Sequence, residues 1–309
     1  MYKVLVTCPP MLLQIDSLRD KFTEFNLEIT TPKVVQTLSI SELKEIVPEH
    51  DGWIIGDDPA TKEVFEAGKV GKLKAAVKWG IGTDNVDFTA CKELDIPITN
   101  TPGMFGEEVA DLAMCYILGL ARHAFYIDRE VRKGSWPKPT GISLLDKTLG
   151  IIGLGDIGKN IAKRANAHGL KIIGWDPYAK NIPDHILFHD KWPEGLNQCD
   201  FLVFSCALTE SNHHMFSENL FDKIKPGLRV INVSRGGLID EDFLLECIST
   251  GLVHSVALDV FENEPLDMKN KLLSYPNCIL GSHNGSNTKE AVIRASNEAI
   301  NIIKNFLYN

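Results

Sequence analysis

The sequence has no apolar run near the roughly 18 to 20 residues needed to cross a bilayer as a helix, so it is not read as a helical membrane protein. It has no basic surplus. Its 32 Lys and Arg stand against 41 Asp and Glu, a net charge of -9, which removes the electrostatic footprint of a protein that grips nucleic acid or an anionic membrane. An anionic substrate would therefore need a locally positive site. No two cysteines stand in C-x-x-C spacing: the seven (Cys8, Cys91, Cys115, Cys199, Cys206, Cys247 and Cys278) are scattered and odd in number. That pattern argues against a disulfide framework and favours reduced thiols in a cytoplasm. The opening MYKVLVTCPP lacks the apolar core and cleavage site of a signal peptide. Low-complexity tracts, short-period repeats and clusters of metal ligands are absent as well, and no metal is expected.

What is present is an ordinary globular composition, 44% hydrophobic and 24% charged over 309 residues, enough for two cores. Short β-branched runs alternate with longer stretches of helical spacing, the pattern of parallel sheets covered by helices. One series of strands is expected at Lys3 to Thr7, Leu27 to Thr31, Gly52 to Ile55, Ala75 to Trp79 and Pro97 to Asn100. A second is expected at Thr148 to Gly153, Lys171 to Trp175, Phe201 to Ser205, Arg229 to Val233, His254 to Leu258 and Cys278 to Gly281. Between them the periodicity predicts one long helix from about Glu107 to Arg132, followed by the breaker-rich stretch Lys133 to Gly141. A last helix is expected over Thr288 to Leu307, and periodicity alone does not assign it to either series.

The run from Leu149 to Gly158 carries an apolar strand into Gly153-Leu154-Gly155-Asp156-Ile157-Gly158 and then into a helical pattern. In such a turn Gly153 permits the tight bend, Gly155 lets a pyrophosphate approach the backbone, and Gly158 allows close packing of helix on strand. The next strand ends at Asp176, 18 residues after Gly158, close to the offset of an acid that holds ribose hydroxyls. That acid repels a 2′-phosphate, so NAD is favoured over NADP. A ligand-free glycine turn is the bland alternative.

Hydride transfer at a hydroxyl-bearing carbon needs a base for the hydroxyl proton and a cation for the carboxylate. Arg235, in Val233-Ser234-Arg235-Gly236-Gly237, follows a strand end, where open α/β sheets bind ligands, and its guanidinium can fork onto a carboxylate. His283, in Gly281-Ser282-His283-Asn284-Gly285, follows another, and imidazole exchanges a proton near neutral pH. The other eight histidines read as structural or solvated. Glu264, within Asp259 to Pro265, lies past a third strand end and is placed to fix the tautomer of His283.

With these motifs the sequence resembles the D-isomer-specific 2-hydroxyacid dehydrogenases, phosphoglycerate dehydrogenase-like members included. The likeness extends through Gly80-Ile81-Gly82-Thr83-Asp84-Asn85-Val86-Asp87, Asn100-Thr101-Pro102-Gly103, Ile231 to Gly237 and Asp259 to Pro265. The resemblance implies an α/β protein of two doubly wound parallel-sheet domains. A flavodoxin-like substrate domain would comprise residues 1–102 plus 284–309, around an inserted Rossmann NAD domain at 103–283, with the active site in a cleft that closes by a hinge. It implies that Arg235 binds the substrate carboxylate and carbonyl, that His283 exchanges the proton and that Glu264 pairs with it. Asp259 would orient the nicotinamide carboxamide. The backbone of Asp156 and Ile157 would meet the pyrophosphate, with Val233, Ser234 and Gly285 near the nicotinamide. Gly80, Ile81 and Gly82 would offer amides to the substrate carboxylate as an anion nest. It also suggests a homodimer using the helix Glu107 to Arg132, and no appended regulatory domain.

Three positions depart from the family pattern. Lys78 stands where many phosphoglycerate-type members have arginine, keeping charge but losing the bidentate fork. Ser205 and Ala207 replace a common histidine and proline. The expected reaction is hydride exchange between NAD and a D-2-hydroxy acid. Because Lys78 can supply positive charge, 3-phosphoglycerate is the first expectation for the substrate, with glyoxylate or hydroxypyruvate reduction as the alternative. A non-catalytic, NAD-responsive corepressor is the competing class. Formate oxidation is disfavoured, because that branch pairs its histidine with glutamine.

Overall fold

The structure, a computed structural model, describes all 309 residues, and the chain divides into two compact units. Unit 1 comprises Met1–Phe105 and Ser286–Asn309, and unit 2 comprises Gly106–Gly285. No helix is long and apolar enough to cross a membrane.

Unit 1 opens with β1 (Tyr2–Val6), α1 (Pro9–Leu13), α2 (Arg19–Glu24), β2 (Leu27–Thr30) and α3 (Ile40–Ile46). It continues with β3 (Gly52–Ile55), α4 (Lys62–Val70), β4 (Ala75–Lys78), α5 (Phe88–Glu93) and β5 (Ile98–Asn100). The strands pair in parallel in the order β2-β1-β3-β4-β5, the flavodoxin-like winding. β3 and β4 are buried along their whole length, as strands covered on both faces must be. One face packs Leu5, Trp53, Ile55 and Ala76 into a core with Leu43, Phe65 and Cys91.

Unit 2 begins with α6 (Gly106–Arg122) and α7 (Ala124–Arg132), then β6 (Thr148–Ile152), α8 (Asp156–Ala167), β7 (Lys171–Trp175) and β8 (Ile186–Phe188). It continues with β9 (Phe201–Phe204), β10 (Leu228–Asn232), α9 (Glu241–Ser249), β11 (Val253–Leu258) and β12 (Cys278–Leu280). Its seven parallel strands run β12-β11-β10-β9-β6-β7-β8. The chain reverses direction of winding between β6 and β9, the switch point of a Rossmann sheet, where ligands bind beyond the carboxyl ends of the strands.

α10 (Lys289–Tyr308) returns to unit 1. Thr288 caps it through the amide of Ala291, and it packs on β3 and β4. Gly52 permits this approach, since a Cβ there would lie 3.0 Å from Ile303. Trp79 donates its indole N–H to Ser296 on the same helix.

Two expectations need correction. The helix from Glu107 to Arg132 is broken at His123, whose φ of 56° is left-handed, so α6 and α7 are separate helices. The break lets Phe125 pack against Gly119, where a Cβ would collide at 2.6 Å. β8 is absent from the expected strands: it is a three-residue edge strand pairing only with β7.

Candidate active site

The turn after β6 is built from contacts that only glycine tolerates. Gly153 adopts φ 92°, and a Cβ there would lie 2.6 Å from the amide nitrogen of Cys206. A Cβ on Gly158 would lie 1.9 Å from the carbonyl oxygen of Gly153. Around Gly155, by contrast, nothing lies within 4 Å of the Cβ position, so the backbone is open to approach. α8 starts here with no side chain capping it. An uncapped helix N-terminus beside an open glycine fits a pyrophosphate. The carboxylate of Asp156 accepts from Asn160 and reaches the start of α6, where any side chain on Gly106 would collide with it at 2.2 Å.

Asp176 at the end of β7 accepts from the amide of Leu154 at 2.8 Å through one oxygen and from that of Tyr178 at 2.7 Å through the other. It therefore shapes the glycine turn from the end of the neighbouring strand. Ser205, one of the departures from the family pattern, donates its hydroxyl to the carbonyls of Ile152 and Gly153 and buttresses the same turn from β9. Its neighbour Cys206 is mostly buried, which pushes its thiol up to about 11, so it is neutral at physiological pH.

The loop after β10 is shaped by Asn232, which sequence reasoning did not single out. Its side chain accepts from the amide of Ser234 at 3.0 Å and donates to the carbonyl of Arg235 at 2.8 Å. The hydroxyl of Ser234 donates to the carbonyl of Cys206. Val233 donates its amide to Phe204, continuing the ladder with β9. Arg235 is half-buried with an extended backbone, and its guanidinium donates to the carbonyl of Ser234. Gly236 brings this loop against the one after β11, since a Cβ there would lie 1.9 Å from the carbonyl carbon of Phe261.

Glu264 accepts from the amide of Phe261 at 3.0 Å and from Nδ1 of His283 at 2.8 Å. The second bond requires the proton on Nδ1. His283 sits at φ 55°, and its amide donates to the carbonyl of Asp259 at 2.6 Å. Asp259 is buried, accepting from the hydroxyl of Tyr116 at 3.1 Å and from the amide of Gly285 at 2.8 Å. Burial, with the adjacent Asp259 carboxylate, raises the Tyr116 phenol far above its ordinary value, so it stays a donor. Tyr116 carried no local sequence signal. The contact spans 143 residues.

Arg235, Glu264, His283, Asp259 and the Gly153 turn thus lie on strand ends of one sheet, in unit 2. Lys78 and the Gly80 loop belong to unit 1. There, Gly80 adopts φ 115° and donates its amide to Thr101 Oγ1 at 2.8 Å, so of the three expected anion-binding amides that of Gly80 is already engaged. Ile81 is half exposed and accepts through its carbonyl from Asn100. Lys78 is buried, donating to the carbonyl of Gly56 at 2.7 Å and to Asp57 at 3.1 Å.

A model of the D-isomer specific 2-hydroxyacid dehydrogenase NAD binding domain matches residues 114–285, more than half the chain. The chain belongs to this family. Unit 2 is accordingly its NAD-binding unit, and membership carries the family's class, an NAD-dependent oxidoreductase. The sequence is 39% identical over 279 residues to a hydroxypyruvate reductase of Thermotoga maritima, covering 89% of each chain. It is 34% identical over 297 residues to a D-3-phosphoglycerate dehydrogenase of Methanocaldococcus jannaschii, covering 94% of this chain and 55% of that one. It thus spans about half the length of that longer relative. Among solved structures, the TT0316 protein of Thermus thermophilus superposes with a TM-score of 0.88 at 29% identity, covering 99% of this chain and 96% of that one. A glyoxylate reductase of Paecilomyes thermophila superposes with a TM-score of 0.84 at 26% identity, covering 100% and 96%.

Proposed function

We propose that the protein interconverts a small D-2-hydroxy acid and its 2-keto acid, using Arg235, Glu264 and His283. NAD, when bound, supplies or accepts the hydride at the reacting carbon. The chain's own groups handle the proton and the charge. His283, held through Nδ1 by Glu264, gives a proton from Nε2 to the carbonyl oxygen in reduction and takes it back in oxidation. Arg235 clamps the substrate carboxylate and polarises the carbonyl. Gly153, Gly155, Gly158 and the amides of Asp156 and Ile157 would hold the pyrophosphate, and Asp176 the ribose. Val233, Ser234, Asp259 and Gly285 would border the nicotinamide, with Asp259 setting the Gly285 amide in place. Ile81 and Gly82 would receive the substrate carboxylate. We further propose a cytoplasmic homodimer in which α6 takes part.

The observation that carries this reading is the 2.8 Å bond between His283 and Glu264 on the sheet edge that also carries the Gly153 turn. For the substrate, the pairing of Lys78 with Asp57 favours an unphosphorylated acid, hydroxypyruvate or glyoxylate, over 3-phosphoglycerate. The similarity to the T. maritima hydroxypyruvate reductase along most of both chains points the same way. The test is NADH absorbance during incubation with hydroxypyruvate, glyoxylate, pyruvate and 3-phosphohydroxypyruvate at one pH. Oxidation of NADH by at least one of them is expected. NADH binding without oxidation by any acid would leave the corepressor-like reading in its place.

A further inference from the structure

At the end of β3 the chain reads Gly56-Asp57-Asp58, and at the end of β4 it reads Lys78-Trp79-Gly80. These strands pair with Ile55 beside Lys78, so the two turns leave one sheet edge together. The first turn is rigid. A Cβ on Gly56 would lie 2.8 Å from Cys8 Cα. Asp58, fully buried, accepts from the amides of Leu38 and Gly56 and from the hydroxyl of Thr7. Asn85 donates to the carbonyls of both Gly56 and Asp58, tying this turn to the loop that begins at Gly80. Asp57 is thereby held with its Oδ1 3.1 Å from Lys78 Nζ. The lysine side chain is 3% exposed and that of Asp57 39%. Nζ lies 4.0 Å from the position a Cβ would take on Gly80.

We infer that Asp57 sets the charge preference of the substrate loop by cancelling the Lys78 ammonium beside Gly80, so that the enzyme takes acids with an uncharged far end and rejects phosphorylated ones. The inference rests on the reading that the Gly80 loop receives substrate. A phosphate monoester carries close to two negative charges at neutral pH. Beside Lys78 it would have to displace a carboxylate held in the adjoining turn. With Asp57 neutral, Lys78 would be a buried cation lacking its counter-charge, and a phosphate would supply it.

Asp57→Asn keeps an oxygen facing Lys78 and removes the charge. The ratio of kcat/KM for 3-phosphohydroxypyruvate to that for hydroxypyruvate should rise about tenfold or more, chiefly through KM, with a smaller gain at high salt. Inorganic phosphate should become a competitive inhibitor. Asp57→Ser, at the same partly exposed position, should behave alike and serves if the first variant is unstable. An unchanged ratio in variants that melt like the wild type overturns the inference, as does a wild type that already prefers the phosphorylated acid. A wild type that oxidises NADH with no acid overturns the dehydrogenase reading and the inference with it, whereas activity with an unmoved ratio overturns the inference alone.

Discussion

Glu264 holds His283 with one carboxylate oxygen and the amide of Phe261 with the other, at 2.8 and 3.0 Å. One side chain therefore fixes both the tautomer of the imidazole and the course of the loop that carries the acid. The carbonyl of Asp259 fixes the other end of the arrangement by accepting the His283 amide at 2.6 Å.

Replacing His283 by Ala should lower kcat by about 10²- to 10⁴-fold with NAD affinity retained. Glu264→Gln keeps a hydrogen bond to Nδ1 but removes the charge that favours imidazolium. Its reduction rate should fall about tenfold, with the pH–rate profile for reduction displaced towards lower pH. Steady-state rates across pH, with NADH titration by fluorescence, check both. A profile for Glu264→Gln that superposes on the wild type would remove the electrostatic part of its role.

Arg235→Lys keeps the charge and loses the planar fork, so kcat/KM for the keto acid should drop by roughly 10²-fold while NADH binding stays within about twofold. The decisive measurement is the split between the two. Equal losses in both would mean that the residue shapes the loop and does not contact the substrate.

Asp176→Ala removes acceptors for the amides of Leu154 and Tyr178 together with the carboxylate proposed to hold the ribose. NADH should bind about tenfold more weakly, and the preference for NADH over NADPH should shrink, because the repulsion of a 2′-phosphate is gone. Isothermal titration with the two cofactors reads this directly. A preserved preference would move the discrimination elsewhere.

Gly158→Ala puts a methyl group 1.9 Å from the Gly153 carbonyl, a contact that must push α8 off β6. A loss of about 1 to 3 kcal/mol in stability is expected, together with loss of NADH binding. Thermal melting with and without NADH should show a lower midpoint and no stabilisation by the cofactor.

Asp200 provides a pH-dependent contribution to stability. Burial alone would raise its carboxyl, but Lys225 at 2.8 Å and the amide of Thr148 at 2.9 Å outweigh this and hold it below the usual carboxylate range. The folded value lies below the unfolded one, so this stability is present above about pH 4 and is lost as pH falls through the folded value. Asp200→Asn should therefore melt with a shallower dependence on pH on the acid side. An unchanged slope would assign the acid sensitivity to other carboxylates.

Much of the fold was legible because the internal strands are short, mostly apolar runs between turn residues, several of them, such as β3, β9 and β10, buried along their whole length. β8 escaped notice because three residues, flanked by His185 and His189 at the sheet edge, make too short a run. The break at His123 carries neither Gly nor Pro, so only the packing of Phe125 on Gly119 reveals it. In the site, Arg235, Glu264 and His283 were readable as polar residues just past strand ends in a resembling motif. The choice of hydrogen-bond partner was not readable. The contact of Gly80 with Thr101, that of Lys78 with Asp57 and that of Tyr116 with Asp259 join residues 21, 21 and 143 positions apart, and nothing local encodes which acceptor each donor meets.

The return of α10 to unit 1 orders events during synthesis. Val4, Val6, Ile54 and Val77, on the sheet face opposite the Phe65 core, emerge from the ribosome more than two hundred residues before the helix that packs on β3 and β4. The Rossmann unit is made in between and has all its strands in one uninterrupted stretch, so it can finish folding first. Until α10 is made, the part of this apolar face that it covers on β3 and β4 stays open to solvent.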